Sequence, residues 1–443
     1  MTSEPISVVL ARWIGALRLD DVPADVRQKA RLCCADTLGV ALAGSRMPSV
    51  RCAIRAMGGG PSQYGFWGTK EGGALASALF VNATAASALD LEDGHPLAVG
   101  HPSSGVISAA FTVAERLNPP GRALLEAVIV GYEIGIRAAV ARRAQNVDAF
   151  CSGNWLPIGV AAALGRLNGL AENSLAHALA IAAAYTPQAP LSPSLENGAM
   201  VKESIGWATV VGQQAVALAA ADFRGGLTIL EHEGLYRRDA WLDGLGERWA
   251  LRQVYFKPYA ACRWTHAPAD ATLQLVHTNG LRVQDVQAVL VETFHAAARL
   301  NHPAPVSLEH AQYSIPWIVA LILRDGDAGA RQMREEFLAD KSLLSLAGRV
   351  QVAEAADLEA TFPETRSARV TLTTTKGKFT ATVHHPRGSQ DNPLSEEWIQ
   401  TRARELAGEI LGEKAAINLI GGMKDLEQSV ETAPLIQTLR IKQ

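Results

Sequence analysis

The densest group of ionisable residues lies in ALDLEDGHPLAVGHPSSG, residues 88–105, which holds Asp90, Glu92, Asp93, His95 and His101. Imidazoles change charge near neutral pH and carboxylates orient them, so this group suits general acid–base chemistry. Gly94, Gly100 and Gly105 allow unusual backbone angles between the polar residues. Ser103 and Ser104 follow Pro102 where they would cap the next helix. Free amides at that N-terminus would bind a carboxylate or a phosphate. The alternative use of the same residues is an ordinary solvated, capped loop between helices.

A second group is YFKPYAACRWTHAPAD, residues 255–270, where Lys257, Arg263 and His266 stand beside Tyr259, Trp264 and Cys262. Fixed cations bind carboxylates and aromatics shield them from water, so the mixture suits an anionic substrate. A basic connector carrying core aromatics is the other reading. A third is AMVKESIGWATVVG, residues 199–212, with Lys202 ahead of an apolar helix. Such a lysine snorkels to solvent by default; a perturbed pKa is the functional alternative. HAQYSIPWIVA, residues 310–320, opens an apolar helix with His310, Tyr313 and Ser314. His384 and His385 are expected on the surface.

These groups must be positioned by the elements around them. Over the first 250 residues the chain reads as helix after helix. Ile6, Val9, Leu10, Trp13, Ile14 and Leu17 form one helical stripe, and Pro23 stands where a second helix starts. Ala-rich helices are expected over 74–89, 105–117, 122–142, 157–170, 175–184 and 206–221. After about residue 280 the period changes. Strands are expected over 286–294 and around Val350 and Val352. Val370, Leu372 and Thr374 lead through Lys376-Gly377 to Phe379, Ala381 and Val383, a hairpin signature. Helices are expected over 311–324 and 331–346. Helical periodicity returns at Trp398, Ala403, Leu406, Ile410 and Leu411. The last segment would then rejoin the first and make the α+β unit an insertion. The expected fold class is mainly α: a helical domain over 1–256 completed by 394–443, with a smaller α+β domain over 257–393.

Composition bounds the partners. The 443 residues carry 41 Lys+Arg against 44 Asp+Glu, a formal net charge of −3, with 48% hydrophobic and 19% charged residues. These values exclude disorder, and without a long basic run they argue against a nucleic-acid partner. Gln213 and Gln214 interrupt the apolar stretch 205–223, and Arg166 and Asn168 interrupt 158–170. Neither offers the roughly 18 apolar residues of a membrane span. The N-terminus has no basic region ahead of an apolar one, so no signal peptide is expected. The cysteines are Cys33, Cys34, Cys52, Cys151 and Cys262, without CxxC; a reducing cytoplasm is the expected compartment. Phosphate-loop, dinucleotide, zinc-protease and serine-hydrolase motifs are absent from the sequence.

Seven segments, in order, resemble the MmgE/PrpD family, which comprises dehydratases, decarboxylases and epimerases of small carboxylates, 2-methylcitrate dehydratase among them. They are ADTLGVALAG (35–44), FVNATAASALDLEDGHPLAVGHPSSG (80–105), GYEIGIR (131–137), the Lys202 segment, KPYAACRWTH (257–266), AQYSIPW (311–317) and PRGSQDNPLS (386–395). The resemblance implies a helical domain with an inserted α+β lid, a homodimer, no cofactor, and a site between the domains. It maps the family's catalytic histidine to His101, its acidic partner to Asp90, its substrate-contacting lysines to Lys202 and Lys257, and a downstream histidine to His266. Two departures stand out. Gly94 stands where many relatives carry Thr, and AFCSGNWLPIG (149–159) has Phe150 or Cys151 where many carry a histidine.

The activity this implies is that of a cofactor-free lyase on a small di- or tricarboxylate, by proton abstraction next to a carboxylate and β-elimination or hydration. His101 would be the general acid or base, with Asp90 orienting it. Lys202, Lys257 and Arg263 would bind carboxylates, with Ser103 and Ser104 at the helix start. His266 or Tyr313 would protonate a leaving group. The first alternative is epimerisation, with Lys257 or His266 as the second base. A metal held by Asp90, Asp93, His95 and His101 is disfavoured by the resemblance, and a degenerate carboxylate-binding protein is the non-enzymatic reading. The expected partner is a small polycarboxylate, with no nucleic acid, membrane or metal.

Overall fold

The structure, a computed structural model, describes residues 4–58, 63–143, 151–188, 190–191 and 198–441. The stripe read from the first residues forms helix α1 (Ile6–Ala16), which buries Ile6, Leu10 and Ile14. Pro23 precedes α2 (Ala24–Gly44), whose Cys33, Cys34 and Leu38 lie in the core. Then come α3 (Pro48–Met57), α4 (Leu75–Ala88), α5 (Ser103–Leu117), α6 (Gly121–Ala141), α7 (Leu156–Leu167), α8 (Glu172–Ala184) and α9 (Ile205–Ala220). The two-residue strands Tyr64–Gly65 and Gly72–Gly73 pair before residue 250, too short to leave a period in the sequence.

Small residues set how closely these helices approach. α6 packs on α7, and α7 packs on α5 and α9. Gly131 and Gly135 of α6 face Gly159 of α7: a Cβ on Gly159 would lie 2.8 Å from the Gly131 carbonyl oxygen and 2.9 Å from the Gly135 Cα. Alanine at 159 would push the two backbones apart. α4 lies against α2, α5 and α9, so its C-terminal end, where the acidic segment begins, sits on a rigid support. The helix Glu396–Leu411 returns to lie along α2, and Ile399, Ala403 and Ala407 join the same core as α1, α2 and α4–α9.

The four-stranded sheet runs in the order Val350–Glu354, Val286–Thr293, Ala368–Thr374, Gly377–Val383. Its first pair is parallel and the others antiparallel, with Val291 opposite both Val352 and Val370. Val289, Val291, Val370 and Leu372 bury one face against the helices His266–Thr278 and Ile315–Asp325. The hairpin turns at Thr375-Lys376, and Gly377, which opens the next strand opposite Thr374, has φ 130°.

Two expected helices are corrected. The segment 331–346 is broken into 3₁₀ turns at Ala330–Gln332 and Glu335–Ala339 and a helix at Lys341–Ala347. Asp340 starts that helix: its carboxylate accepts from the amides of Ser342 (2.8 Å) and Leu343 (3.2 Å). The segment 311–324 is shared between two helices, Leu308–Gln312 and Ile315–Asp325, parted at Tyr313-Ser314, where Ser314 accepts from the Trp317 amide (3.1 Å) and Pro316 fixes the first turn of the second. All five cysteines are unpaired. Among the described residues no helix is long and apolar enough to cross a membrane.

Candidate active site

The loop between α4 and α5 carries the first group, and motifs far away in sequence hold it. Asp90 and Val99 have φ of 52° and 47°, strained for residues with a Cβ. Tyr132 on α6 donates to Asp93 Oδ2 (2.6 Å), and Asp93 Oδ1 accepts from the Ser103 amide (3.4 Å). The Asp93 main-chain carbonyl then accepts from His101 Nδ1 (2.7 Å). The His101 amide donates to Ser152 Oγ (2.9 Å). The imidazole is thus fixed at both its ring and its backbone.

The second group is held by the GYEIGIR segment and by the helix Glu396–Leu411. Glu133 accepts from the amides of Ala250 and Leu251, both at 3.1 Å, and Arg137 donates to the carbonyls of Gly244 (3.2 Å) and Arg248 (3.3 Å). These contacts fix the chain that leads into Lys257. Arg402 donates to the Lys257 carbonyl and to the buried Asp36 carboxylate. The ADTLGVALAG segment therefore anchors the Lys257 backbone through Arg402.

The two groups meet around Asp90. Its Oδ2 lies 3.2 Å from Lys257 Nζ and its Oδ1 lies 3.3 Å from Lys202 Nζ. Lys257 also donates to the Asp90 carbonyl (2.9 Å) and Lys202 to the Ser87 carbonyl (2.6 Å). Burial alone would raise the Asp90 carboxyl, but the two ammoniums hold it well below the usual carboxylate range. Burial likewise opposes the charge on Lys257, and Asp90 and Glu92 reverse it, so its ammonium is held above the usual lysine range. His101 Nε2 lies 3.5 Å from Lys257 Nζ and 3.5 Å from Glu203 Oε1. With its proton on Nδ1, the ring keeps a lone pair on Nε2. It accepts from Lys257 when neutral and donates to Glu203 when protonated.

Several expectations are corrected. Asp90 does not set the His101 tautomer; the Asp93 carbonyl does, and Asp90 instead clamps the two lysines. Lys202 does not snorkel. With φ 49° it turns inward and is 5% exposed, because Asp90 and the Ser87 carbonyl satisfy its ammonium. Ser103 and Ser104 are the first residues of α5 and neither caps it. Ser104 Oγ turns back to the His101 carbonyl (3.2 Å), and the Ser103 amide is taken by Asp93. His266 has both nitrogens engaged, Nδ1 accepting from Arg263 (3.1 Å) and Nε2 donating to the Ala261 carbonyl (3.1 Å). Burial and the neighbouring Arg263 push it well below the usual histidine range, so it is neutral. Arg263 donates to the carbonyls of Pro386 (3.0 Å) and Arg387 (2.9 Å), tying the PRGSQDNPLS segment to the site.

Tyr313 reaches the cluster from the AQYSIPW segment, its hydroxyl 3.4 Å from Glu203 Oε1. Burial pushes this phenol well above its usual range, so it is a neutral donor. Glu203 was not singled out in the sequence, although it is the residue after Lys202 in an otherwise apolar stretch. Its Oε2 accepts from the Ser152 amide (2.8 Å) and hydroxyl. Glu92 is fully enclosed with no hydrogen bond to either oxygen, and burial raises its carboxyl. Phe150 lies outside the described residues; Cys151 is buried, next to Ser152. His384 and His385 are exposed.

Asp90, His101 and Glu203 bring one ligand atom each within 4.8 Å of one another. A divalent cation there would face the ammoniums of Lys202 and Lys257, which already neutralise Asp90. Asp93 is committed to Tyr132 and Ser103, and His95 is not among the residues whose ligand atoms converge there. The arrangement suits an anionic ligand better than a cation.

Cis-aconitate decarboxylase of Aspergillus terreus (strain NIH 2624 / FGSC A1156) is 25% identical over 98% of this chain and 96% of its own length. Cis-aconitate decarboxylase of Homo sapiens is 27% identical over 82% of this chain and 78% of its own. Residues 8–239 match the MmgE/PrpD N-terminal domain and residues 259–426 the MmgE/PrpD C-terminal domain. With both halves of that pattern present, and in order, the chain belongs to the MmgE/PrpD family.

Proposed function

We propose that the protein is a cofactor-free lyase acting on a small tricarboxylate, through proton transfer at a carbon next to a carboxylate. The observation that carries this reading is the His101 Nε2 atom, 3.5 Å from both an ammonium and a carboxylate. The relatives' printed name, cis-aconitate decarboxylase, supports the substrate class.

The roles follow from the chemistry of the groups. Charge that develops on the substrate carboxylate meets the ammoniums of Lys202 and Lys257, in a site where one good donor is worth roughly 3–4 kcal/mol. In an elimination, His101 Nε2 takes the proton, the C–H pair becomes the double bond, and the neutral Tyr313 phenol protonates the departing hydroxide. In a decarboxylation the pair left behind by carbon dioxide is protonated by the imidazolium of His101. The α+β part, 257–393, is read as a lid that carries Lys257, Arg263, His266 and Tyr313 onto the helical part and keeps water out.

Epimerisation needs a second base. Lys257 is held as an ammonium and His266 has no free lone pair, so among the described residues the geometry favours the lyase reading. The test is NMR of cis-aconitate, citrate and 2-methylcitrate with the protein in deuterated water. Turnover of one of them, with a change in olefinic or carboxyl carbons, is the expected result. Exchange with inversion and an unchanged skeleton would overturn it in favour of epimerisation.

A further inference from the structure

Tyr255 plays no part in the mechanism above, yet its surroundings are unusual. Its backbone pairs with Gly94, the Gly94 amide donating to the Tyr255 carbonyl (3.0 Å) and the Tyr255 amide to the Gly94 carbonyl (2.9 Å). The ring lies directly on Gly94, where a Cβ would come within 2.4 Å of the phenol oxygen. The Arg263 guanidinium stacks 4.7 Å from the ring centroid. The residue is 8% exposed, and its hydroxyl hydrogen-bonds to no group among the described residues. The hydroxyl oxygen is not wholly enclosed, so it is free to meet a group from outside the chain.

Three cations act on this phenol, Lys257, Arg263 and Arg366, while the neighbouring Cys262 acts the other way. Arg263 donates only to the Pro386 and Arg387 carbonyls, Ser389 Oγ and His266 Nδ1. Arg366, on the segment before the hairpin, donates to the carbonyls of Pro363 (3.2 Å) and Pro96 (2.7 Å). Neither arginine is in an ion pair among the described residues. Burial lowers both, and takes Arg263 down to about 10. The Asp270 carboxylate acts on Arg263 only through space and is paired with Arg387 (2.9 Å), and cations withdrawn from water without a paired anion are costly, which points to an anion supplied from outside the chain. The phenol itself is not that anion, since burial pushes it above its usual range.

We propose that Tyr255, Arg263 and Arg366 form a second carboxylate subsite, where the Tyr255 hydroxyl donates to the substrate carboxylate farthest from the reacting carbon. This rests on the tricarboxylate reading and makes it specific: Tyr255 selects three carboxylates over two. Gly94 is part of the subsite, because only glycine leaves room for the phenol.

Tyr255→Phe keeps the ring, its seat on Gly94 and the stacked guanidinium, and removes only the hydroxyl. The probes are tricarballylate, an unreactive tricarboxylate, and succinate, measured by calorimetric titration of the full chain. Wild type is expected to bind tricarballylate more tightly. Tyr255→Phe should weaken tricarballylate about tenfold and leave succinate unchanged. Arg366→Gln, on a part-buried side chain, should show the same selectivity. Equal binding of tricarballylate by wild type and both variants overturns the subsite while the substrate reading stands, as does an equal loss for both probes. If wild type binds neither probe, the substrate reading fails and the subsite with it.

Discussion

His101 Nδ1 lies 2.7 Å from the main-chain carbonyl oxygen of Asp93. A carbonyl only accepts, so the ring proton sits on Nδ1 and Nε2 faces Lys257 and Glu203 with its lone pair. The Asp93 side chain is pinned by Tyr132 of α6, so a helix in the middle of the core determines which nitrogen does chemistry. The reacting groups come from elements far apart in sequence, and the core sets their register.

Asp90 is the counter-ion of two buried ammoniums. Asp90→Asn leaves both uncompensated and should cost about 3–5 kcal/mol of stability, with loss of turnover, measured by urea denaturation and assay. Because the folded carboxyl is held below its unfolded value, this stabilisation is present above about pH 4 and is lost as the pH falls further. Denaturation midpoints followed down from pH 6 should therefore fall more steeply for wild type than for Asp90→Asn. A flat difference between the two contradicts the clamp.

Arg402 links the buried Asp36 to the Lys257 backbone. Arg402→Met strands a carboxylate that is 0% exposed and frees the Lys257 carbonyl. The expected outcome is a loss of about 3–5 kcal/mol together with a reduced kcat, although residue 402 touches no reacting group. Thermal unfolding and steady-state kinetics on the same preparation check both parts. A stable variant with unchanged kcat would count against the anchor.

Gly94→Ala places a methyl against the phenol of Tyr255. Overpacking at such a site costs about 1–3 kcal/mol. The displacement should raise KM more than it lowers kcat, because Tyr255 binds and does not react. A drop in kcat alone would place Tyr255 in the chemical step.

Tyr313→Phe removes the one neutral phenol that reaches Glu203. Loss of a general acid should lower kcat about 100-fold in elimination of a hydroxyl. In decarboxylation no hydroxide leaves, so the same variant should be far milder. Comparing the two reactions on one panel of substrates separates the roles.

Much of the fold was legible because its signals are local. Ala-rich apolar stretches gave α4 to α9 within a few residues, and period-two alternation gave the hairpin around Lys376-Gly377. The 331–346 region was misread because its apolar spacing is helical, whereas Asp340 caps a later start. At the site, residue types were legible and contacts were not. Lys202 looked solvent-bound because it stands at the start of an apolar helix; its partners Ser87 and Asp90 lie more than a hundred residues away. The control of the His101 tautomer came from a main-chain carbonyl, which leaves no trace in side-chain types. Tyr255 was not singled out, since its hydroxyl and its seat on Gly94 appear only in three dimensions.

The central claim is that His101 Nε2 exchanges the proton at the reacting carbon. The most direct test is NMR of cis-aconitate turnover in deuterated water, comparing wild type with His101→Gln of matched thermal stability. The account predicts deuterium at a single product carbon with wild type and a rate lowered by about 10²–10⁴ in the variant. A His101→Gln protein that turns over at the wild-type rate with the same label pattern would contradict it.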